Sequence, residues 1–128
     1  MKITKIAPTL IVDKIAPSLN FFVEALGFTK AMEVPGESGL AFALLVKDSL
    51  EIHLQARSSA GTEIPYLGKS AMPPSCFLYL DVDDVQGVYE KLKDTDLLFP
   101  LAKTPWGAQH FFIREPGGHV IGFSQNAD

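Results

Sequence analysis

The chain has 128 residues, 47% of them hydrophobic and 20% charged, which is typical of one globular domain and excludes a largely disordered chain. A formal net charge of −4, without any cluster of Lys or Arg, disfavours nucleic-acid binding. No apolar run is long enough to cross a bilayer, so we expect no membrane partner. No signal-peptide pattern is present, and the single Cys76 rules out an intrachain disulfide. We therefore expect a cytoplasmic protein.

The first half of the sequence predicts one strand, one helix and three more strands. An apolar run predicts a strand over 5–12, and Pro17 suits the first turn of a helix that Gly27 ends. Apolar residues recur along this helix at intervals of three and four and predict its buried stripe, namely Leu19, Phe22, Val23 and Leu26. Turn-rich segments separate the three strands that follow, which are predicted over 28–34, 40–47 and 50–55.

The segment over 57–75 is rich in Ser, Gly and Pro and is predicted to be a linker. A second pattern of strand and helix follows it. A strand is predicted over 76–82, with Cys76 buried in it as a small apolar residue, and a helix over 84–93 with Asp83 or Asp84 as its N-cap. The apolar stripe of this helix consists of Val85, Val88, Tyr89 and Leu92.

Three more strands complete the second half of the chain and are predicted over 97–101, 108–114 and 119–125. A tight turn, Glu115-Pro116-Gly117-Gly118, joins the last two strands. Pro116 presets φ for the second turn position, and we expect both glycines to accept positive φ. His119, directly after the turn, is predicted to be exposed to solvent.

The two halves of the sequence look like copies of one module. Residues 12–15 (VDKI) have a counterpart 70 positions later at 82–85 (VDDV), and each precedes a helical pattern. Residues 50–53 (LEIH) similarly match 121–124 (IGFS), at a spacing of 71. The first module is therefore predicted over about 5–56 and the second over about 76–126.

Several of these features resemble the glyoxalase/bleomycin-resistance/extradiol-dioxygenase superfamily, also called the vicinal oxygen chelate proteins. They are the Trp106-Gly107 pair that leads into a strand, the 115–118 turn, and the Leu26-Gly27-Phe28 helix end after two aromatic residues. The resemblance implies an α+β fold in which two tandem βαβββ modules form a curved, half-barrel mixed sheet with helices on its convex side. It also implies a single domain over 1–128 and a homodimer.

Metal-dependent members of that family bind a divalent ion through ligands on the first and last strands of each module. The resemblance places the four ligand positions at Ala7, Glu51, Phe77 and Gly122. Three of these residues have no side-chain donor, and a register shift by one residue offers only Ile6 or Pro8 and Cys76 or Leu78. We therefore expect no metal cofactor at the family position.

A displaced metal site is the alternative. Glu51 and His53 lie two residues apart, so in a strand both side chains point the same way. Together with His110 they would form a site of two histidines and one carboxylate, of the kind that non-haem iron enzymes use. The protein would then be a lyase, isomerase or dioxygenase that polarises vicinal oxygens with a metal ion. The competing interpretation is that His53 and His110 are polar binding-site or interface residues.

Without a metal, the family resemblance favours the bleomycin-resistance branch, whose members bind a drug without altering it. The expected function is binding of a planar or cationic small molecule, with antibiotic sequestration as the specific hypothesis. The predicted ligand-binding residues are Glu51, His53, Phe77, Tyr79, Trp106, His110 and Ser124. Whether Phe77 and Tyr79 line this site or belong to the core stays open, because strand alternation does not say which face is covered.

Charge and proton chemistry add two further hypotheses. Acidic side chains would attract a cationic ligand over long range, namely Glu33, Glu37, Glu51 and Asp81. Catalysis without a metal would use Glu51 or His53 as a general base, which requires an apolar environment that raises the pKa of a carboxyl group towards neutrality. Nucleophile elbows, phosphate-binding loops and Cys-x-x-Cys pairs are absent from the sequence, which argues against hydrolase, kinase and thiol-redox chemistry.

Overall fold

The computed structural model describes residues 1–69 and 76–127, and the chain divides into two compact units, Met1–Met72 and Pro73–Asp128. The strands of the first unit are β1 (Thr9–Val12), β2 (Thr29–Gly36), β3 (Gly39–Lys47) and β4 (Leu50–Ala56). Its helices are α1 (Ile15–Asn20), which continues into a π-helical turn over Phe21–Ala25, and α2 (Arg57–Glu63), which is followed by a 3-10 turn over Pro65–Gly68.

The first unit is a four-stranded mixed sheet in the order β1-β4-β3-β2, in which only β1 and β4 run parallel. Alternation along the strands sends one set of side chains to the face that α1 covers. The buried members of this core include Leu10, Val12, Ile15, Phe22, Ala43, Leu45, Ile52 and Leu54. The opposite face carries Thr9, Phe42, Glu51 and His53.

The structure corrects two details of the first module. The first strand begins at Thr9 rather than at residue 5, although the backbone N–H of His53 still bonds to the carbonyl of Pro8 at 2.9 Å. Val23, predicted in the buried stripe, is 37% exposed. The π-helical turn that begins at Phe21 holds more residues per turn than an α-helix, so positions after it rotate away from the predicted stripe.

The first part of the segment predicted as a linker is not a loop, because it folds as α2 in the first unit. The hydroxyl of Thr62 donates to the carbonyl of Ser58 at 3.0 Å within this helix. Gly61 allows a close approach to the turn that follows, since a Cβ there would lie 2.8 Å from the Cα of Gly68. Residues 70–75 of the linker lie outside the described residues.

The second unit repeats the architecture of the first. Its elements are β5 (Leu78–Asp81), α3 (Val85–Leu92), β6 (Leu97–Lys103), β7 (Ala108–Arg114) and β8 (Val120–Asn126). The sheet order is β5-β8-β7-β6, with β5 and β8 parallel and the other pairs antiparallel. Pro100 lies in β6, an edge strand of this sheet, where its missing N–H is tolerated.

One face of the second sheet packs against α3. The rings of Phe111 and Phe123 stack at 5.0 Å on adjacent strands, and Tyr89 of the helix meets Phe111 edge-on at 5.1 Å. Val85 and Leu92 are buried in the same core, which confirms the predicted helical stripe. Asp84, not Asp83, is the N-cap, because its side chain accepts a hydrogen bond from the backbone N–H of Gly87 at 3.1 Å.

The turn between β7 and β8 differs from the prediction in two respects. Only Gly118 has a positive φ, of 98°, so one glycine rather than two requires this conformation. The carboxylate of Glu115 is buried and accepts a bond from the N–H of Gly117 at 2.7 Å. His119 is partly buried rather than exposed, because its ring lies 3.4 Å from that carboxylate.

The two units confirm the predicted α+β class and the two βαβββ modules. The parallel strand pairs also show which residues of the two modules correspond. Thr9 lies opposite His53 in the first module, and Tyr79 lies opposite Gly122 in the second. If Thr9 and Tyr79 are equivalent, His53 and not Glu51 corresponds to Gly122. None of the helices in the described part of the chain is long and apolar enough to span a membrane.

Candidate ligand-binding site

The face of the second sheet opposite α3 carries a cluster of aromatic side chains. Phe111 points to the helix side, so strand alternation places its neighbours His110 and Phe112 of β7 on this opposite face. Tyr79 of β5 and Phe77, which directly precedes that strand, lie on the same face. Phe77 is 48% exposed and Tyr79 is 42% exposed. These two residues therefore line an accessible surface and do not belong to the core, which settles the alternative that the sequence left open.

His110 lies at the centre of this cluster, in edge-on contact with four rings. Its ring centroid lies 4.9 Å from that of Phe112, 5.8 Å from Phe99, 5.8 Å from Trp106 and 5.9 Å from Tyr79. Such edge-to-face pairs hold each ring in a defined orientation. We name the set Phe77, Tyr79, Phe99, Trp106, His110 and Phe112 the aromatic face.

Gly122 makes the centre of the aromatic face possible. It lies between Tyr79 and Phe112 in the sheet, as their cross-strand neighbour on both sides. A Cβ at this position would lie 2.6 Å from the ring of Phe112 and 2.8 Å from the ring of Tyr79. The absence of a side chain therefore lets these two rings meet above β8, where their centroids are 6.0 Å apart.

Four residues of the aromatic face, Phe77, Phe99, His110 and Phe112, line an open concavity of about 530 Å³. Its lining is mainly apolar and consists of Cys76, Phe77, Leu98, Phe99, His110, Phe112 and Val120. This volume lies within the range of pockets that bind small molecules. Cys76 is exposed here rather than buried as predicted, because it precedes the first residue of β5 and its side chain is not enclosed by the sheet.

The polar contact of the aromatic face is a hydrogen bond between the hydroxyl of Tyr79 and Nδ1 of His110, at 2.8 Å. It joins residues on strands β5 and β7, which are separated by β8. The imidazole therefore has one nitrogen bonded to Tyr79 while its ring lines the concavity.

The first unit has a different set of side chains on the corresponding face of its sheet. Nε2 of His53 lies 2.6 Å from the carboxylate of Glu51, and Nδ1 lies 3.1 Å from the hydroxyl of Thr9. The ammonium group of Lys5 binds the same carboxylate at 2.9 Å. Phe42 contacts the imidazole, with ring centroids 5.3 Å apart. We call Lys5, Thr9, Glu51 and His53 the polar network.

The polar network does not suit a general base of the predicted kind. The hydrogen bond from His53, followed by the hydrogen bond from Lys5, lowers the pKa of Glu51 below its usual value of 4.5. The hypothesis of metal-free base catalysis by Glu51 required the opposite direction.

The residues at the metal position that the family resemblance implies do not fit a metal ion. Ala7, Phe77 and Gly122 have no side-chain donor atoms, and the Lys5 ammonium already neutralises Glu51. The predicted displaced site has no support either. Within residues 1–69 and 76–127, no three His, Cys, Asp or Glu side chains come together as ligands for a metal ion. His110 instead belongs to the aromatic face through its bond with Tyr79.

The predicted ligand-binding residues come from both units of the chain. Phe77, Tyr79, Trp106 and His110 share the aromatic face, whereas Glu51 and His53 belong to the polar network of the first unit. Ser124 is only 2% exposed, so it is a poor candidate for contact with a ligand.

Sequence reasoning missed five residues that line the concavity, namely Cys76, Leu98, Phe99, Phe112 and Val120. For Phe112 the signal was present, since it lies two positions after His110 on the same predicted strand and so shares its face. Phe99 gave no such signal, because register shifts interrupt β6 on either side of it.

A second concavity of about 720 Å³ lies within the first unit. It is lined by residues 13–16 and 36–41 and by small side chains of α2, including Ser58, Ser59 and Thr62. No aromatic side chain lines it, and no predicted site residue apart from the acidic Glu37 belongs to it. The aromatic face is therefore the stronger candidate for a ligand site.

Comparison with known proteins agrees with the fold described above. Residues 2–123 match the model of the Glyoxalase/Bleomycin resistance protein/Dioxygenase superfamily. A bleomycin resistance protein of Geobacillus stearothermophilus is 26% identical over 128 residues, covering 92% of this chain and 93% of the relative.

Two solved structures illustrate the range of proteins with this fold. TnmS3, an antibiotic binding protein from Streptomyces sp. CB03234, is 24% identical with a TM-score of 0.69, over 99% of both chains. A glyoxalase-related enzyme from Fulvimarina pelagi is 18% identical with a TM-score of 0.79, over 97% of this chain and 89% of the other. These likenesses establish the fold and do not by themselves distinguish binding from catalysis.

Proposed function

The chain belongs to the glyoxalase/bleomycin resistance protein/dioxygenase superfamily, and we propose that it binds a planar small molecule on its aromatic face without altering it. The observation that carries this proposal is the open concavity of about 530 Å³ with exposed aromatic rings at its surface. Rings held edge-on to one another offer flat, apolar area at little cost in side-chain entropy.

Sequestration of an antibiotic is the specific form of this function that the relatives favour. The G. stearothermophilus relative is named a bleomycin resistance protein, and TnmS3 is described as an antibiotic binding protein. The net charge of −4 is compatible with a cationic ligand. Two of the expected acidic contributors are partly neutralised, since Lys5 binds Glu51 and Lys30 binds Glu33 at 2.7 Å. Flat apolar contact should therefore contribute more to affinity than charge.

Function without a metal cofactor is part of the proposal. It is supported by the residues at the family metal position, where three side chains lack donors and two rings fill the space above Gly122. Elemental analysis of protein purified without chelators should find well below one equivalent of metal per chain. A stoichiometric metal that Glu51→Ala removes would overturn this part of the proposal.

Trp106 provides a direct test of ligand binding. It is the only tryptophan and contacts His110, so a ligand on the aromatic face should change its fluorescence. We would titrate the protein with bleomycin and with planar aromatic cations such as ethidium. Saturable quenching is the expected result, and a panel of planar compounds that leaves the emission unchanged would contradict the proposal.

Alanine substitutions of exposed aromatic residues test where on the protein the ligand binds. Phe77→Ala and Phe99→Ala each remove an exposed ring from the aromatic face and should weaken binding about threefold to tenfold, the usual effect of losing one aromatic contact. Tyr66→Ala is the matched control, because it removes a similarly exposed ring from the first unit. Equal losses in all three variants would place the ligand elsewhere.

The homodimeric state and cytoplasmic location expected from the sequence stay predictions. Sedimentation equilibrium across a range of concentrations would test the first, and a chain that sediments as a monomer at every concentration would reject it. Fractionation of cells that produce the protein would test the second.

A further inference from the structure

The Nε2 atom of the His110 imidazole is available for a hydrogen bond to a ligand within the aromatic face. Nδ1 bonds to the hydroxyl of Tyr79 at 2.8 Å, and no other hydrogen bond of this ring occurs among the described residues. No buried side-chain nitrogen or oxygen in that part of the chain lacks a partner, so Nε2 is not sealed in the core. Because His110 lines the concavity, Nε2 is a polar atom within a largely apolar surface.

The hydrogen bond between Tyr79 and Nδ1 determines whether Nε2 is a hydrogen-bond donor or acceptor. A phenol hydroxyl is a stronger donor than a neutral imidazole N–H, and an unprotonated imidazole nitrogen is a stronger acceptor than a phenol oxygen. The favoured arrangement is therefore the Tyr79 hydroxyl donating to Nδ1, which leaves the proton of the neutral ring on Nε2. The hydrogen bond made by one ring nitrogen sets the state of the other in this way.

Resting on the function proposed above, we infer that the ligand is a planar aromatic molecule with an oxygen acceptor such as a ring carbonyl, which Nε2–H of His110 binds. Tyr79 is the positioning residue that holds the imidazole in the donor tautomer. The surrounding rings of Phe99, Trp106 and Phe112 keep the imidazole in place. The carbonyl oxygen then sets the orientation of a flat ligand that stacking alone would leave free to slide.

Two compounds of almost identical shape test this specificity. Fluorenone and fluorene are both planar tricycles, but only fluorenone has a carbonyl oxygen. For each variant we would measure both dissociation constants by equilibrium dialysis and take their ratio. The two compounds differ in hydrophobicity, but this difference contributes equally to the ratio in every variant and so cancels when variants are compared. His110→Phe keeps a ring and removes the donor, so it should shift the ratio against fluorenone by roughly threefold to tenfold.

Tyr79→Phe tests the positioning role. It should reduce the same preference for fluorenone, because the imidazole loses the bond that holds its tautomer, whereas Tyr66→Phe, which removes an exposed hydroxyl in the first unit, should not change this preference. A long-range proton–nitrogen correlation NMR spectrum reports which imidazole nitrogen carries the proton. The signals of His110 are those that disappear in His110→Phe. This tautomer would not change if Tyr79 had only a structural role. We expect Nε2 to carry the proton in the unsubstituted protein, and a mixture of tautomers in Tyr79→Phe.

The outcomes separate this inference from the function on which it rests. If both compounds bind and His110→Phe leaves their ratio unchanged, the aromatic face binds ligands but the carbonyl contact is rejected. If His110 carries its proton on Nδ1, the assigned donor role is rejected. If neither compound binds the unsubstituted protein, the proposed site itself fails and the inference fails with it.

Discussion

Gly122 determines the shape of the aromatic face, although it contributes no side chain to it. The rings of Tyr79 and Phe112 occupy the space that a Cβ would need, at 2.8 and 2.6 Å. The family resemblance assigns this position to a metal ligand, and the structure has part of an apolar surface there.

Gly122→Ala should lower the free energy of unfolding by about 1–3 kcal/mol, the usual cost of forcing an additional methyl group into a packed site. Urea denaturation of both proteins measures this difference. The same substitution in a Phe112→Ala background should cost less, because one of the two opposing rings is gone. Strictly additive effects of the two substitutions would show that the ring of Phe112 does not fill this space.

Glu51 belongs to a charged environment, and its protonation affects stability in a defined direction. Its hydrogen bonds to His53 and Lys5 lower the pKa of the folded state below 4.5. A carboxyl group of this kind contributes stability above its unfolded pKa, and the contribution is lost as the pH falls through the lower, folded pKa. Because the carboxylate is partly accessible and Lys5 is 63% exposed, the effect should be small and sensitive to salt.

Glu51→Gln should therefore destabilise the protein at pH values above 4.5 and have progressively less effect as the pH falls through the folded pKa. Denaturation of both proteins over a series of pH values provides the test. Glu24→Gln, on the π-helical turn of the same unit, is the control for a general loss of negative charge. A difference between the unsubstituted protein and the Glu51→Gln variant that grows towards acid would contradict the direction of the pKa shift.

At the scale of elements, the start of α3 shows how a short helix is fixed within the second unit. The side chain of Asp84 caps its N-terminus at Gly87, and the backbone N–H of Val85 donates to the side chain of Gln125 on β8 at 2.9 Å. The side-chain amide of Gln125 in turn donates to the carbonyl of Asp83 at 2.7 Å. These bonds attach the helix to the sheet that supports the aromatic face.

Asp84→Ala should lower the free energy of unfolding by about 1 kcal/mol, because the N–H of Gly87 loses its acceptor. Asp83→Ala is a closely matched control, since it removes a neighbouring carboxylate while keeping the backbone carbonyl that Gln125 binds. Thermal unfolding of the two variants measures the difference. Equal destabilisation would mean that negative charge near the helix, and not the cap, is responsible.

For the whole molecule, local patterns in the sequence predicted most of the architecture. The repeated order of strands and helices, the stripe of Val85 and Leu92 and the turn before β8 all follow from short-range periodicity and turn chemistry. The α2 helix escaped prediction because a segment containing Ser58, Ser59 and Gly61 has weak helix propensity and depends on its packing.

The candidate site was only partly predictable, for a physical reason. Strand alternation places Phe77 and Tyr79 on one face, but it does not reveal which face the helix covers. The bond between Tyr79 and His110 joins residues 31 positions apart and depends on the register of three strands. The alternative site of Glu51, His53 and His110 likewise could not be assembled from the sequence, because Glu51 belongs to a network in the first unit and His110 to the aromatic face of the second.

The exposed sulfur of Cys76 has a practical consequence. It is the only cysteine of the chain, and it lies on the lining of the concavity. A maleimide dye or a nitroxide would therefore attach at one known point beside the aromatic face, without prior mutagenesis. Binding of a ligand in the concavity would change the fluorescence of the dye or the magnetic resonance spectrum of the nitroxide. The same sulfur would allow a library of weakly electrophilic compounds to be screened by covalent attachment at this site.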